Sequence, residues 1–180
     1  FCIYGEDQLM KKIGLVMGSR SDAAAVEKAA DMLVSLGIPF EVHVFSAHRT
    51  PNEARDFARS AEENGIGVII AAAGMAAHLA GAIAANTVLP VIGIPCSSKN
   101  FDGIDALLST VQMPTGIPVA TVAVDGAGNA ALLGAQILAL SDESLKEKLR
   151  AMRAQGAQRV LRDDKEINEK FAKMQETQRS

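Results

Sequence analysis

Short apolar runs alternate with longer segments of helical periodicity along most of the 180-residue chain. The apolar runs are Ile13–Met17, Phe40–Phe45, Val68–Ala72, Val91–Ile94 and Val119–Val124. Continuous Val/Ile runs such as GVIIAAA and LPVIGIP are typical of strands buried on both faces of a sheet. The helical segments between and after these runs are Ser21–Leu36, Thr50–Asn64, Ala76–Ala85, Gly103–Val111 and Gly128–Leu140. This alternation predicts an α/β fold with a five-stranded parallel sheet covered on both faces by helices.

The connections between these elements narrow the topology. Right-handed crossovers and short loops make a doubly wound, flavodoxin-like three-layer sandwich the simplest arrangement. Gly37 and Gly65 stand where two of the helices should end. We assign residues 10–141 to this domain. Residues 1–9 are expected to be a leader outside it, because Met10 stands just before the first strand pattern.

The last part of the chain, residues 142–180, is much more charged than the domain before it. Leu145, Leu149 and Met152 lie there at helical spacing. So narrow an apolar stripe does not stabilise an isolated helix in water. We therefore expect an extended C-terminal helix that docks on the domain or on another subunit.

Composition excludes several classes of protein. A hydrophobic content of 48% argues against disorder, and a net charge of −3 argues against a nucleic-acid binder. No apolar run approaches the roughly 20 residues needed to span a bilayer. With Cys2 in the expected leader, Cys96 has no cysteine to pair with, so a reducing, cytoplasmic setting is favoured.

Polar residues able to do chemistry follow the predicted strands. In parallel sheets of this kind, ligands bind beyond the carboxyl ends of the strands. The loops at that edge are MGSRSD at 17–22, SAHRTP at 46–51, AGMAAHLAG at 73–81 and PCSSKNFDG at 95–103. The loops at the opposite edge are short and carry little chemistry, so one site is predicted where these four loops meet.

The first of these loops leads into a helix. Ser19, Ser21 or Asp22 can satisfy a free backbone N–H as the N-cap. The same helix start attracts anions through its exposed N–H groups and its dipole. Because Asp22 would repel a phosphate, we place it on sugar hydroxyls instead.

The second loop contains more than a helix start needs. Thr50 and Glu53 have the spacing of a capping box, with a proline at the first helical position. This leaves Ser46, His48 and Arg49 unexplained. Arg49 at a helix start opposes the dipole, so an anionic partner is expected. An imidazole can give or take a proton near neutral pH, so His48 is a candidate acid/base.

Other candidates are weaker. His43 lies in the middle of a predicted strand and is interpreted as structural, and His78 in the third loop could line the site or cap the loop. Cys96 lacks a base in its own motif, and a small buried thiol is the commoner case. The segment GAGNAA, Gly126–Ala131, fits a dinucleotide-binding pattern but has no following strand with an acidic end. The histidines show no metal-binding i, i+4 pair.

Six motifs, taken in order, resemble one enzyme family: GLVMGSRSD, FSAHRTP, AAHLAG, LPVIGIP, LLSTVQMPTGIPVATVAV and GNAALLGAQIL. They are similar to the class I 5-(carboxyamino)imidazole ribonucleotide mutases of purine biosynthesis, the catalytic subunits of phosphoribosylaminoimidazole carboxylase. The resemblance covers Lys12 to about Leu140. It implies a flavodoxin-like fold, a homo-octamer whose C-terminal helices pack on neighbours, and no metal, biotin, ATP or other cofactor. It also implies transfer of a carboxylate from the exocyclic nitrogen of a ribonucleotide to a ring carbon.

The resemblance also implies residue roles. His48 is similar to the family's general acid/base. The implied substrate-binding residues are Ser19, Asp22 and Arg49, with Ser21 and Ser46 beside the phosphate and the loop of Gly74, His78 and Leu79 over the base and carbon dioxide. A functional coupling to an ATP-dependent carboxyaminoimidazole ribonucleotide synthetase is expected.

Two departures and two alternatives accompany the resemblance. The family's GAGGAAHLPG reads AAAGMAAHLAG here, with Met75 for a glycine and Ala80 for a proline. One alternative is a direct aminoimidazole ribonucleotide carboxylase using carbon dioxide, but such class II enzymes typically carry lysine where this chain has Arg49. The other is a flavin- or nucleotide-binding module. It lacks support because flavin carriers use aromatics, and this chain has no Trp and one Tyr, Tyr4, in the expected leader.

Overall fold

The computed structural model describes residues 10–177, so the expected leader at residues 1–9 lies outside the described residues. The chain divides into two compact units, of which the first ends at Asp142 and the second begins at Glu143. Within the described residues, no helix combines the length and the hydropathy that crossing a membrane requires.

The first unit is built on one parallel sheet in the order β2-β1-β3-β4-β5. Its strands are β1 (Lys12–Met17), β2 (Phe40–Val44), β3 (Ile66–Gly74), β4 (Val91–Cys96) and β5 (Ala120–Thr121). This order is that of flavodoxin-like folds, which confirms the predicted fold class. β5 is shorter than predicted: the ladder to β4 stops at Thr121, and the chain then turns at Asp125, whose φ is 55°.

In the described part of this unit, four α-helices and one short 3-10 helix connect the strands, and a fifth α-helix follows β5. They are the 3-10 helix Arg20–Asp22 and the helices α1 (Ala23–Leu36), α2 (Pro51–Ser60), α3 (Leu79–Ala84), α4 (Ile104–Val111) and α5 (Ala127–Leu138). Gly37 ends α1 in the left-handed region with φ 71°, as its position predicted. α3 begins later than the predicted Ala76, because the Ala77 and His78 N–H groups bond to carbonyls only two residues back, at 2.9 and 2.8 Å, and form tight turns before Leu79.

The central strands β1, β3 and β4 hold the core. Their side chains are almost all buried, as expected for strands covered by helices on both faces. Helices pack so closely on this sheet that a Cβ on Gly14 would lie 2.9 Å from the ring of Phe57. The loops at the carboxyl edge therefore follow strands that are buried and closely packed.

The second unit is the helix α6 (Glu143–Thr177), 35 residues long. Glu143 pairs with Lys146 and Arg150 in its first turns. From Arg153 onward every described side chain is exposed. Large apolar side chains are exposed among them at Val160, Ile167, Phe171 and Met174, which recur at helical spacing and continue the stripe begun by Leu145, Leu149 and Met152. The predicted extended C-terminal helix is confirmed.

Candidate functional site

A cavity of about 550 Å³ opens at the carboxyl edge of the sheet. Four loops line it, those that follow β1, β2, β3 and β4. The lining residues are Gly18, Ser19, Ser21, Asp22, Ser46, Ala47, His48, Arg49, Ala73, Gly74, Met75, Ala76, Leu79, Ser97 and Ser98. Folding thus gathers every residue that sequence analysis proposed for the site except His78.

A second, larger cavity of about 1000 Å³ lies at the opposite edge of the sheet, beside the start of β4. Arg59 and Glu62 line it, but none of the candidate residues does. Size does not decide between the two cavities, since ligands of parallel sheets bind at the carboxyl ends of the strands. The smaller cavity is therefore the candidate functional site.

The first loop builds one wall of this cavity around a reciprocal cap. Ser19 is the N-cap of the 3-10 helix: its hydroxyl accepts the Ser21 N–H at 3.3 Å, and its own N–H donates to Asp22 Oδ2 at 3.1 Å. The Ser19 and Ser21 hydroxyls also hydrogen-bond each other. Of the three cap candidates, Ser19 takes the role and Asp22 reciprocates, which fixes all three side chains at the cavity.

The carboxylate of Asp22 is the acidic group of the cavity. Burial raises its pKa above the ordinary value, and this effect outweighs the hydrogen bonds from Ser19 and Ser21 and the positive charge of Arg49, which all lower the pKa. A half-buried carboxylate of this kind gains from hydroxyl donors and repels an anion. This carboxylate is therefore better suited to accept hydrogen bonds from hydroxyl groups than to hold an anion.

The second loop differs from its prediction in one respect. Thr50 occupies the N-cap position of α2, with Pro51 next, but its side chain makes no capping hydrogen bond. Its Oγ1 instead accepts the Ser46 N–H at 2.8 Å and donates to the Ser46 carbonyl at 3.3 Å. The predicted capping box of Thr50 with Glu53 is wrong, because the hydroxyl closes the turn between Ser46 and Thr50 instead.

Arg49 links the first two loops. Its backbone N–H and its Nε donate to Ser46 Oγ at 3.2 and 3.4 Å, and its Nη2 donates to the Gly18 carbonyl at 3.1 Å. Among residues 10–177, no carboxylate lies within ion-pair distance of this guanidinium. The cavity thus presents a cation whose remaining N–H groups are available to an anionic ligand.

The two histidines of the site contact each other. His48 Nε2 lies 2.9 Å from His78 Nδ1, and the rings meet edge to face with their centroids 5.0 Å apart. His78 stands at the N-cap position of α3 without a side-chain capping bond, and it does not line the cavity. Its ring makes no capping bond and contacts His48, which does line the cavity.

The third loop follows the end of β3. A Cβ on Gly74 would lie 3.3 Å from the Cys96 carbonyl oxygen, so glycine lets the ends of β3 and β4 approach closely. Met75 has φ 55°, where glycine is the ordinary residue, and its side chain is 58% exposed. Met75 therefore forms part of the cavity rim in a strained backbone conformation.

Cys96 is buried at the end of β4. Burial, followed by the negative charges of Asp22 and Asp125, raises the pKa of its thiol to about 12. A thiol with this pKa is protonated at neutral pH and is a poor nucleophile. The structure thus supports the interpretation of Cys96 as a small buried side chain.

The sequence analysis did not predict that serines of the fourth loop line the cavity, or that Asp125 holds this loop. Ser97 and Ser98 line the cavity, and the Ser97 N–H donates to Asp125 Oδ1 at 3.0 Å. The pKa of Asp125 is lowered, chiefly by its hydrogen bonds with Ser97. The paired serines were a visible polar signal at a strand end. The role of Asp125 was not visible, because it depends on a contact between residues 28 positions apart.

A histidine, an arginine and hydroxyl groups line a cavity above the carboxyl edge of a flavodoxin-like sheet, as in a small-molecule site. Residues 12–159 match the family model described as AIR carboxylase. The chain belongs to this AIR carboxylase family.

Curated relatives from several organisms are named N5-carboxyaminoimidazole ribonucleotide mutase. The chain is 52% identical to the protein of that name from Pyrococcus horikoshii over 165 residues, which cover 91% of this chain and 89% of the relative. It is 52% identical to the one from Escherichia coli strain K12, with 83% and 90% covered. It is 50% identical to the one from Bacillus subtilis, with 86% and 97% covered.

Solved structures agree with the fold. A crystal structure of Treponema denticola PurE superposes with a TM-score of 0.79 at 30% identity, covering 86% of this chain and 96% of that one. The match extends over almost all of the solved chain.

Proposed function

We propose that this protein is a 5-(carboxyamino)imidazole ribonucleotide mutase. It moves the carboxylate of 5-carboxyaminoimidazole ribonucleotide from the exocyclic nitrogen to the ring carbon and gives 4-carboxy-5-aminoimidazole ribonucleotide in de novo purine biosynthesis. The observation that carries this proposal is the cavity itself. It unites the His48 imidazole, the Arg49 guanidinium and the Asp22 carboxylate in a chain 52% identical to mutases from two organisms.

In the proposed mechanism, His48 moves the proton. It donates a proton to the exocyclic nitrogen as the N–C bond breaks and carbon dioxide leaves. The ring carbon of the resulting aminoimidazole then attacks the carbon dioxide, and His48 removes the proton from that carbon. One proton is given and one is taken back, so the reaction needs a single group able to do both near neutral pH.

The rest of the cavity binds the nucleotide. Arg49 contacts the phosphate, with the Ser21 and Ser46 hydroxyls beside it, and Asp22 with Ser19 holds the ribose. The loop of Gly74 and Leu79 covers the base and retains the carbon dioxide between the two steps. Small side chains in this loop allow a flat base to approach the backbone.

The direct carboxylase is not favoured as an alternative. The residue that follows His48 is Arg49, whereas class II carboxylases typically carry lysine there. The relatives at about half identity are named mutases. The deciding assay compares the carboxyamino ribonucleotide with the aminoimidazole ribonucleotide plus bicarbonate. We expect turnover of the first without bicarbonate, and faster turnover of the second would contradict the mutase proposal.

The role of His48 is tested with His48→Asn. Asparagine keeps a similar size and can hydrogen-bond, but it cannot shuttle protons. We expect normal folding and nucleotide binding with turnover lowered by about 10²–10⁴-fold, the range of general acid/base catalysis. The measurement is steady-state turnover, with binding checked by calorimetry. Near-normal turnover would remove His48 from the mechanism.

We further propose a homo-octamer in which residues 142–180 pack on a neighbouring subunit. The exposed stripe of Val160, Ile167, Phe171 and Met174 on α6 supports this, since large apolar side chains in such a row gain by burial. We expect light scattering to give the mass of an octamer. Phe171→Glu should weaken the assembly while Gln158→Glu, on the opposite side of α6, should not, and a wild-type monomer would contradict the proposal.

The setting of the enzyme follows from its chemistry. We place it in the cytoplasm, in line with its single described cysteine, Cys96, which is a free thiol. Its substrate carries a carboxylate on nitrogen, whose formation requires energy, so an ATP-dependent synthetase is the expected supplier.

A further inference from the structure

His78 is a histidine at the edge of the site that does not line the cavity. It stands at the N-cap position of α3, where its side chain makes no capping hydrogen bond. Its polar contact is with the neighbouring loop, where its Nδ1 lies 2.9 Å from His48 Nε2. The contact brings together two residues 30 positions apart, so only the fold creates it.

This hydrogen bond is important because few other contacts fix the orientation of the His48 ring. The His48 side chain is exposed on a loop, and within residues 10–177 its ring makes no other hydrogen bond. An exposed imidazole changes rotamer freely, whereas proton transfer requires the reacting nitrogen at a defined place. A hydrogen bond at one ring nitrogen restrains the ring and leaves the other nitrogen for the substrate.

We propose that His78 is a positioning residue: its Nδ1 hydrogen-bonds His48 Nε2, orients the His48 ring and leaves His48 Nδ1 as the nitrogen that exchanges the proton with the substrate. This inference rests on the proposed mutase function. In the resting state His78 Nδ1 carries the hydrogen of this bond and His48 Nε2 accepts it, so His48 Nδ1 carries the proton that is given to the substrate. His78 acts through His48 and does not itself touch the nucleotide.

The two informative variants are His78→Ala and His78→Asn. Alanine removes the hydrogen-bonding group, while the asparagine amide places a polar atom close to the position of the histidine Nδ1. Neither change removes a helix-capping bond, since the His78 side chain makes none. Asparagine is in addition a favourable residue at an N-cap. His43→Asn is the matched control, because His43 lies on β2 and pairs with Glu41 away from the cavity.

The first readout is kinetic. We expect His78→Ala to lower kcat by about ten- to a hundredfold, because a reacting group displaced by about 1 Å can lose about a hundredfold in rate. KM should stay within about twofold, because uniform substrate binding is untouched. His78→Asn should recover most of kcat, and His43→Asn should behave as wild type. A raised KM with normal kcat would make His78 a substrate-binding residue, and His78→Asn as slow as His78→Ala would exclude a hydrogen-bonding role. Either result overturns the inference.

The second readout is independent of turnover. Diethyl pyrocarbonate reacts with an imidazole nitrogen that has a free lone pair, and mass spectrometry of peptides follows His48 separately. We expect His48 to react roughly three- to tenfold faster in His78→Ala, as the loss of one hydrogen bond implies, and to stay protected in His78→Asn. Equal rates in all forms would show that the bond is not made, which overturns the inference. If the wild-type protein turned over no ribonucleotide, the proposed function would fail, and these rates alone would decide the positioning role.

Discussion

Met75 offers a quantitative test of the third loop. Among the described residues other than glycine, those with positive φ are Met75, Asp102 and Asp125. Short polar side chains such as aspartate tolerate the left-handed region, but methionine has no local hydrogen bond to offset its cost. The family carries glycine at this place in its GAGGAAHLPG motif, so we expect Met75 to be strained.

The magnitude follows from comparing Met75→Gly with Met75→Ala. Both variants lose the same long side chain, which is 58% exposed, so its lost packing cancels in the comparison. A Cβ at φ 55° costs about 1–2 kcal/mol. Glycine costs about 0.4–1 kcal/mol more than alanine in unfolded-chain entropy. The glycine variant should therefore be more stable than the alanine variant by about 0.5–1 kcal/mol.

The assay is urea unfolding followed by circular dichroism, with every variant at the same protein concentration because assembly would affect the midpoint. Ala30→Gly is the control, since Ala30 lies in the middle of α1 in the right-handed region. There glycine should cost about 1 kcal/mol, the opposite sign. An alanine variant at position 75 as stable as the glycine variant would refute the strain argument.

Two further predictions concern charge. Arg49→Ala should weaken binding of the phosphorylated ribonucleotide by roughly ten- to a hundredfold in calorimetry, the equivalent of about 1.5–3 kcal/mol for a lost charge-assisted contact. Arg55→Ala, on the exposed part of α2, is its control, and equal affinities in both variants would contradict the phosphate assignment. For Asp22, burial raises the pKa above its ordinary 3.8, so stability present below pH 3.8 is lost as pH rises through the folded pKa. Asp22→Asn should gain stability over wild type as pH rises through that window. Asp125→Asn should be less stable than wild type above pH 3.8, because the pKa of Asp125 is lowered and its ionised form stabilises the fold. Urea unfolding at several pH values checks both, and the same sign for both variants would refute the argument.

The amino-acid sequence alone determined the type and order of the elements. Continuous Val/Ile runs predicted buried strands, and β1, β3 and β4 have that burial. The alternation of strands with helices predicted the parallel sheet. Because parallel strands end at the same edge, the sequence also placed Ser19, Asp22, His48 and Arg49 in one region before any contact was known. These inferences succeed since they depend on local periodicity and on strand direction.

Only the tertiary structure decided the contacts between loops. The Thr50 hydroxyl was expected to cap α2, but it bonds Ser46 because the turn brings that backbone closer. The bond between His48 and His78 joins loops 30 residues apart, and that between Ser97 and Asp125 joins loops 28 apart. Such contacts arise from where the sheet delivers the strand ends, in a strand order that differs from the chain order. Local sequence patterns carry no information on these distances, so the chemistry-bearing residues could be predicted while their pairing could not.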